Sequence, residues 1–253
     1  MKIDIKTRAE IDRMREACLL TAEVRDIAAS KVAPGVTTGE IDEVVRAFCR
    51  KKKVSASFLG YDGFPGAICV SLNDEVIHGI PDPRREIQPG DLVKLDVGIF
   101  KNGFHGDTAR TIAVGVTDPR KLQLVETTRR ALMEGIAAGG PGIHLGDIGE
   151  TIQKIAESAG FSVVREFVGH GVGRTVHEDP LVPNYGTAGK GIVLKPGMTI
   201  AIEPMINLGK RHVYVEDDDW TVVTQDHQVS AHFEHTVAVT DDGLEILTQP
   251  WDY

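Results

Sequence analysis

At 253 residues the chain is long enough for one large domain or two small ones, and its 42% hydrophobic content excludes a disordered polymer. Its 28 Lys and Arg against 37 Asp and Glu leave a net charge of −9, which argues against a DNA duplex as partner. Three cysteines without a C-x-x-C pair (Cys18, Cys49 and Cys69) speak against a disulfide framework and for a reducing, cytoplasmic compartment. The sequence predicts a helix from the capping box Thr7-Arg8-Ala9-Glu10 to about residue 31, with Ile11, Met14, Cys18 and Ile27 on or near one face. Thr37 and Glu40 open a second helix to about residue 52. Its basic end, Arg50-Lys51-Lys52-Lys53, reads as solvated charge that complements the helix dipole. Residues 92–100 and 104–114 read as two strands of a hairpin around the type I′ signal Asn102-Gly103. Asp118 caps a third helix with Pro119 in its first turn, running to about residue 138, and a fourth follows over 146–159. No apolar leader opens the sequence and no run of 18 apolar residues occurs, so neither a signal peptide nor a membrane span is expected.

The chain repeats itself. Pro34-Gly35-Val36-Thr37-Thr38-Gly39-Glu40-Ile41 echoes Pro141-Gly142-Ile143-His144-Leu145-Gly146-Asp147-Ile148 at an offset of 107 residues. At the same offset, Pro89-Gly90 ahead of Leu95-Asp96 matches Pro196-Gly197 ahead of Ile202-Glu203. Asp107-Thr108 resembles Glu234-His235-Thr236 at an offset of 127, so about 20 extra residues enter a connecting loop of the second half. His78-Gly79-Ile80-Pro81 and His177-Glu178-Asp179-Pro180 form a further pair. The predicted fold is α+β: one domain over 1–253 with pseudo-two-fold halves, about 1–114 and 115–253. It has an antiparallel-rich sheet inside and two helix pairs outside.

The repeat points to a metal centre. With a two-residue turn, Lys101 pairs with Phe104, which puts Asp107 opposite Gly98 and makes Asp96 and Asp107 diagonal neighbours on one face. Two such acids repel unless a cation lies between them, and Gly98 leaves room for one. Asp96 and Glu203 both interrupt apolar runs, where a lone carboxylate is costly. Asp96, Asp107, His170, Glu203 and Glu234 together make an oxygen-rich set suited to two divalent ions, not to a thiolate-bound structural zinc. The glycines of Gly169-His170-Gly171-Val172-Gly173 imply close backbone approach. His170 reads as a ligand; His177 and its pair mate His78 read as catalytic groups flanking a substrate between the halves. No G-x-S-x-G elbow supports a serine hydrolase, and Cys69, in an apolar strand without a basic neighbour, reads as an inert thiol or pocket wall.

These stretches, with Leu95-Asp96-Val97-Gly98, Gly103-Phe104-His105-Gly106-Asp107-Thr108, Ile202-Glu203-Pro204-Met205 and Phe233-Glu234-His235-Thr236, make the chain resemble the type I methionine aminopeptidases along essentially its full length. The resemblance implies the pita-bread (creatinase/aminopeptidase-like) fold, and excision of the initiator methionine from nascent polypeptides at the ribosome when the second residue is small. It implies two divalent ions (Co, Mn, Fe or Zn) on Asp96, Asp107, His170, Glu203 and Glu234, with Glu203 as general base and His78 and His177 on the substrate. It implies a methionine pocket walled by Tyr61, Phe64, Cys69 and Trp220, a monovalent cation near Asn73, Glu75 and Ser230, and a monomer. Phe64 stands where a tyrosine is common and Val176 where an aromatic is common, changes that touch pocket shape. Two other readings are an X-Pro peptidase and a non-catalytic pita-bread protein that binds ribosomes or nucleic acid. The latter class typically lacks the ligands and carries basic tails.

Overall fold

The structure, a computed structural model, describes residues 2–248. Its first half runs α1 (Arg8–Ala29), α2 (Thr38–Lys52), β1 (Ser55–Ala56), a short helical turn at Tyr61–Gly63, β2 (Cys69–Leu72), β3 (Glu75–Ile77), β4 (Leu92–Lys101) and β5 (Phe104–Ala113). The second runs α3 (Pro119–Ala138), α4 (Leu145–Ser158), β6 (Ser162–Val163), β7 (Gly169–Gly171), β8 (Glu178–Val182), β9 (Thr199–Ile202) and β10 (Met205–Asn207). It continues through β11 (Val213–Val215), β12 (Val222–Thr224), β13 (Ser230–His232), β14 (His235–Val239) and β15 (Leu244–Ile246).

Each helix starts where a polar side chain satisfies its free N–H groups. The Glu10 carboxylate accepts from Thr7 N at 2.8 Å and the Glu40 carboxylate from Thr37 N at 2.8 Å, closing both capping boxes. At α4 the Asp147 carboxylate accepts from His144 N at 2.9 Å, the same device 107 residues on. Apolar residues one turn apart then go inside: Ile41, Val45 and Phe48 on α2, and Ile148, Ile152 and Ala156 on α4. On α1, Met14 and Cys18 are buried as expected, but Ile27 is 37% exposed. Val24 and Ala28, four apart, take the buried stripe of that last turn instead.

The hairpin register follows from its turn. Asn102 and Gly103 adopt φ of 53° and 84°, the left-handed pair that a type I′ turn requires. Lys101 therefore pairs with Phe104, Gly98 with Asp107, and Asp96 with Ala109. All named strand pairs are antiparallel, in one sheet around β4, one around β9 and two of three strands, β13-β10-β6 and β11-β12-β3.

The duplication is visible in the backbone. Gly35 N donates to Ile87 O at 2.8 Å and Gly142 N to Leu194 O at 2.9 Å; Ser57 N donates to Gly98 O at 2.9 Å and Val164 N to Met205 O at 3.1 Å. Donors and acceptors stand 107 residues apart in both cases. One core lies under α1 and α2 (Val24, Ile41, Phe48, Val70, Leu95), the other under α3 and α4 (Leu132, Ile152, Ile200, Val237), so the helix pairs cover an interior of strands. The extra residues of the second half are not a plain loop. They hold β11 and β12, and β12 pairs with β3 of the first half through Val222 and Ile77.

Candidate metal centre

The two halves are sewn together at their acids. Asp107 N donates to Thr236 Oγ1 at 3.0 Å, whose hydroxyl donates back to Asp107 O at 2.8 Å. Thr108 Oγ1 donates to Glu234 O at 2.8 Å, and Glu234 N to Ala109 O at 2.9 Å. Behind them the buried Arg25 donates from Nη1 to Thr108 Oγ1 at 3.1 Å. Glu203, at the end of β9, has its carbonyl held by Asn184 Nδ2 at 3.0 Å. On β7, His170 Nδ1 lies 2.9 Å from Gly171 O. Donation there leaves Nε2 as the lone-pair nitrogen, and it faces the acids, 4.0 Å from Asp107 Oδ2 and 3.4 Å from Glu203 Oε1.

Ligand-type atoms of Asp107, His170 and Glu234 all lie within 4.8 Å of one another. Asp96 and Glu203 line the same cavity, of about 430 Å³. Asp107, Glu203 and Glu234 are buried, and Asp96 Oδ1, Asp107 Oδ1 and Glu234 Oε1 have no hydrogen-bond partner among the described residues. Burial first, and neighbouring acids second, push Asp107 and Glu234 well above the carboxylate range; burial moves Asp96 to about 7 and Glu203 to about 8. Burial also draws His170 down to about 3, so its ring is neutral and ligand-ready. Orphaned carboxylate oxygens, mutual repulsion and a neutral imidazole are what a divalent-cation site looks like before the cation is counted.

The other predicted residues surround this cluster. His177 stacks edge-on to His170 with centroids 4.3 Å apart, and its Nδ1 lies 2.8 Å from Tyr61 Oη. His78 sits on a left-handed backbone (φ 60°), T-shaped to Phe167 and Trp220 at 6.1 Å each. Burial lowers His78 to about 4 and lowers His177 as well, keeping both neutral. Trp220, in the turn between β11 and β12, meets Phe64 edge-on at 5.1 Å. Tyr61, Phe64, Cys69 and Trp220 all line the cavity, and burial raises the Cys69 thiol far above its usual range, which makes it inert wall.

Two expectations are corrected and one is made specific. The bare face of Gly98 makes room for Ser57, not a cation: a Cβ there would lie 2.8 Å from Ser57 Cβ. The close backbone approach expected at the glycines flanking His170 is present and comes from neighbouring strands, with Cβ positions 2.4 Å from Ala201 O at Gly169 and 2.3 Å from Asp179 O at Gly171. At the expected monovalent-cation position, Lys94 Nζ already donates to Asn73 O at 2.7 Å and to Ser230 O at 3.4 Å. The Glu75 carboxylate there accepts from Leu72 N at 2.7 Å and pairs with Arg85 at 2.5 Å. Burial pulls Lys94 down to about 7, against the opposing pull of Glu75 and Asp74.

Sequence reasoning missed His232. It is fully buried, neither ring nitrogen has a hydrogen-bond partner among the described residues, and Nε2 lies 3.6 Å from Glu203 Oε2. Its signal was position: an imidazole two residues before Glu234 in the apolar-rich run from 229 to 239. Phe58 and Phe167 also line the cavity without having been singled out.

Comparison with known proteins gives a consistent picture. The family model of metallopeptidase family M24 matches residues 12–241. The chain is 45% identical over 246 residues to a methionine aminopeptidase of Clostridium acetobutylicum, covering 97% of this chain and 98% of that protein. It is 46% identical to methionine aminopeptidase 1 of Bacillus subtilis, covering 96% and 98%. The crystal structure of methionine aminopeptidase from Thermotoga maritima superposes with a TM-score of 0.96 at 46% identity, covering 98% of this chain and all of that one. A prolidase from Pyrococcus furiosus shares the fold with a TM-score of 0.77 at 24% identity, this chain spanning 66% of its length.

Proposed function

The chain belongs to metallopeptidase family M24, and on that premise we propose how its site removes an N-terminal methionine. It is a metallo-aminopeptidase that acts on peptides and proteins beginning with Met. The observation that carries the reading is the convergence of four acids and His170 on one cavity, with three buried carboxylate oxygens unpartnered among the described residues. Asp96, Asp107, His170, Glu203 and Glu234 would hold two divalent ions, Mn, Co, Fe or Zn. When bound, such ions supply Lewis acidity and a water acidified towards neutral pH.

The protein's own groups do the rest. Glu203 takes the proton of the attacking water as its oxygen bonds the carbonyl carbon, then returns it to the leaving amine nitrogen as the C–N bond breaks. With the Tyr61 hydroxyl donating to His177 Nδ1, the Nε2 of that ring carries the proton and donates to the developing oxyanion. His78 contacts the peptide-nitrogen side. Phe64, Cys69 and Trp220 supply an apolar slot for the methionine side chain, with Tyr61 at its rim. The second residue of the substrate is a small one. Nascent chains at the ribosome are the natural substrate, the compartment is the cytoplasm and the working unit is a monomer.

Hydrolysis of Met-Ala-Ser after chelation and separate return of each divalent ion tests this reading. Activity should vanish and come back with one or more of Mn, Co, Fe and Zn. Activity that survives chelation, or an Ala-Pro peptide cleaved faster than Met-Ala-Ser, contradicts it.

A further inference from the structure

Lys94 lies two residues before Asp96 on β4 and is 1% exposed, among the largest fully buried side chains. An ammonium has three donors and no acceptor, and burying one without acceptors is costly. Its acceptors are two backbone carbonyls from opposite halves of the chain. Asn73 O, in the turn between β2 and β3, is 2.7 Å away, and Ser230 O, at the start of β13, is 3.4 Å away. Both carbonyls are fixed from other directions. Asn73 has a left-handed φ of 52°, exchanges hydrogen bonds with Leu92 and donates from Nδ2 to Asp91 at 2.8 Å. Ser230 N donates to Asn73 O at 2.9 Å and its hydroxyl to Ile206 O at 3.1 Å. The nearby Glu75 carboxylate is engaged by Leu72 N and Arg85, so the ammonium is held by carbonyls in the manner of an alkali ion stripped of its water.

We propose that Lys94 is a built-in cation: a positioning residue whose ammonium clamps the β2–β3 turn to β13, fixes the strands that carry Asp96 and lead to Glu234, and makes a free monovalent ion dispensable. The inference stands on the carbonyl geometry and does not depend on the peptidase reading.

The test is thermal unfolding of the full chain at constant ionic strength in potassium, sodium or tetramethylammonium chloride. The wild-type midpoint should be the same in all three salts. Lys94→Ala vacates a carbonyl-lined space, so its midpoint should fall by about 4 °C or more in tetramethylammonium. In potassium or sodium it should recover at least half of that loss. Lys94→Met fills the space without donors and should fall equally in every salt. Manganese affinity of Lys94→Ala should follow the same ion-dependent recovery. A wild-type midpoint that needs potassium or sodium overturns the proposal, as does a Lys94→Ala variant as stable as wild type or equally weakened in all three salts. Should Lys94→Ala not fold, Lys94→Asn carries the same comparison.

Discussion

The two halves deliver their acids by different routes. In the first half Asp96 and Asp107 ride on one hairpin, and a two-residue turn fixes both at once. In the second, Glu203 lies between β9 and β10 and Glu234 between β13 and β14, with the excursion through β11 and β12 separating them, and no tight turn joins the two. The pairing of β9 with β14 (Ile202 opposite His235) and of β10 with β13 (Met205 opposite His232) sets the two opposite each other, and bonds from the first half add to it, Ala109 and Thr108 holding the Glu234 backbone and Thr236 exchanging bonds with Asp107. The shared scaffold brings the acids together; the part that is not shared adds Trp220 to the cavity wall that Phe64 and Cys69 of the first half begin.

Asp107→Asn and Glu234→Gln break the comparison most directly. If both halves hold the same ions, each should cost about a thousandfold or more in turnover and each should reduce bound metal. A loss confined to one half would mean that only one ion matters. His177→Ala should lower turnover by about a hundredfold to ten-thousandfold while metal content stays intact, since this ring lies beside the acids and not among them; unchanged kinetics would remove its role.

Stability of the metal-free protein sharpens the picture further. The acids have folded pKa values raised by burial, so their contribution is complete below pH 4 and is lost as pH climbs through about 7 for Asp96 and about 8 for Glu203. The buried histidines and Lys94 are lowered and act the other way, the histidines only below their ordinary value of 6.5 and Lys94 from about 7 up to its ordinary 10.5, where one base is outweighed by the four acids. Between pH 6.5 and 8.5 the metal-free chain should therefore lose stability steadily, and a saturating divalent ion should stabilise it more at pH 8.5 than at 6.5. Unfolding midpoints at four pH values, with and without manganese, measure this. The smallest effect concerns the slot: Trp220→Ala should raise KM for Met-Ala-Ser about tenfold and leave metal content alone. An equal rise in a substrate lacking the methionine side chain would mean that Trp220 only props the fold.

What was legible in the sequence was local or periodic. Thr7 with Glu10 and Thr37 with Glu40 are complete capping devices within four residues, and the parity of the Asn102-Gly103 turn dictates which face Asp107 takes. The 107-residue offset carried this reasoning into the second half. What escaped depends on contacts between distant segments. Lys94 was not singled out, because its burial depends on the Asn73 turn and β13 closing over it. The space at Gly98 looks free until Ser57 fills it, and residues 208–229 look like a loop until β12 finds β3 as its partner. His232 was hidden for the same reason, because only the folded chain sets it beside Glu203.

Anomalous scattering from a crystal soaked in manganese addresses the core of this account. Two peaks should appear within the cavity, together contacting Asp96, Asp107, His170, Glu203 and Glu234. Peaks at the protein surface alone, or none near these five side chains, would contradict it.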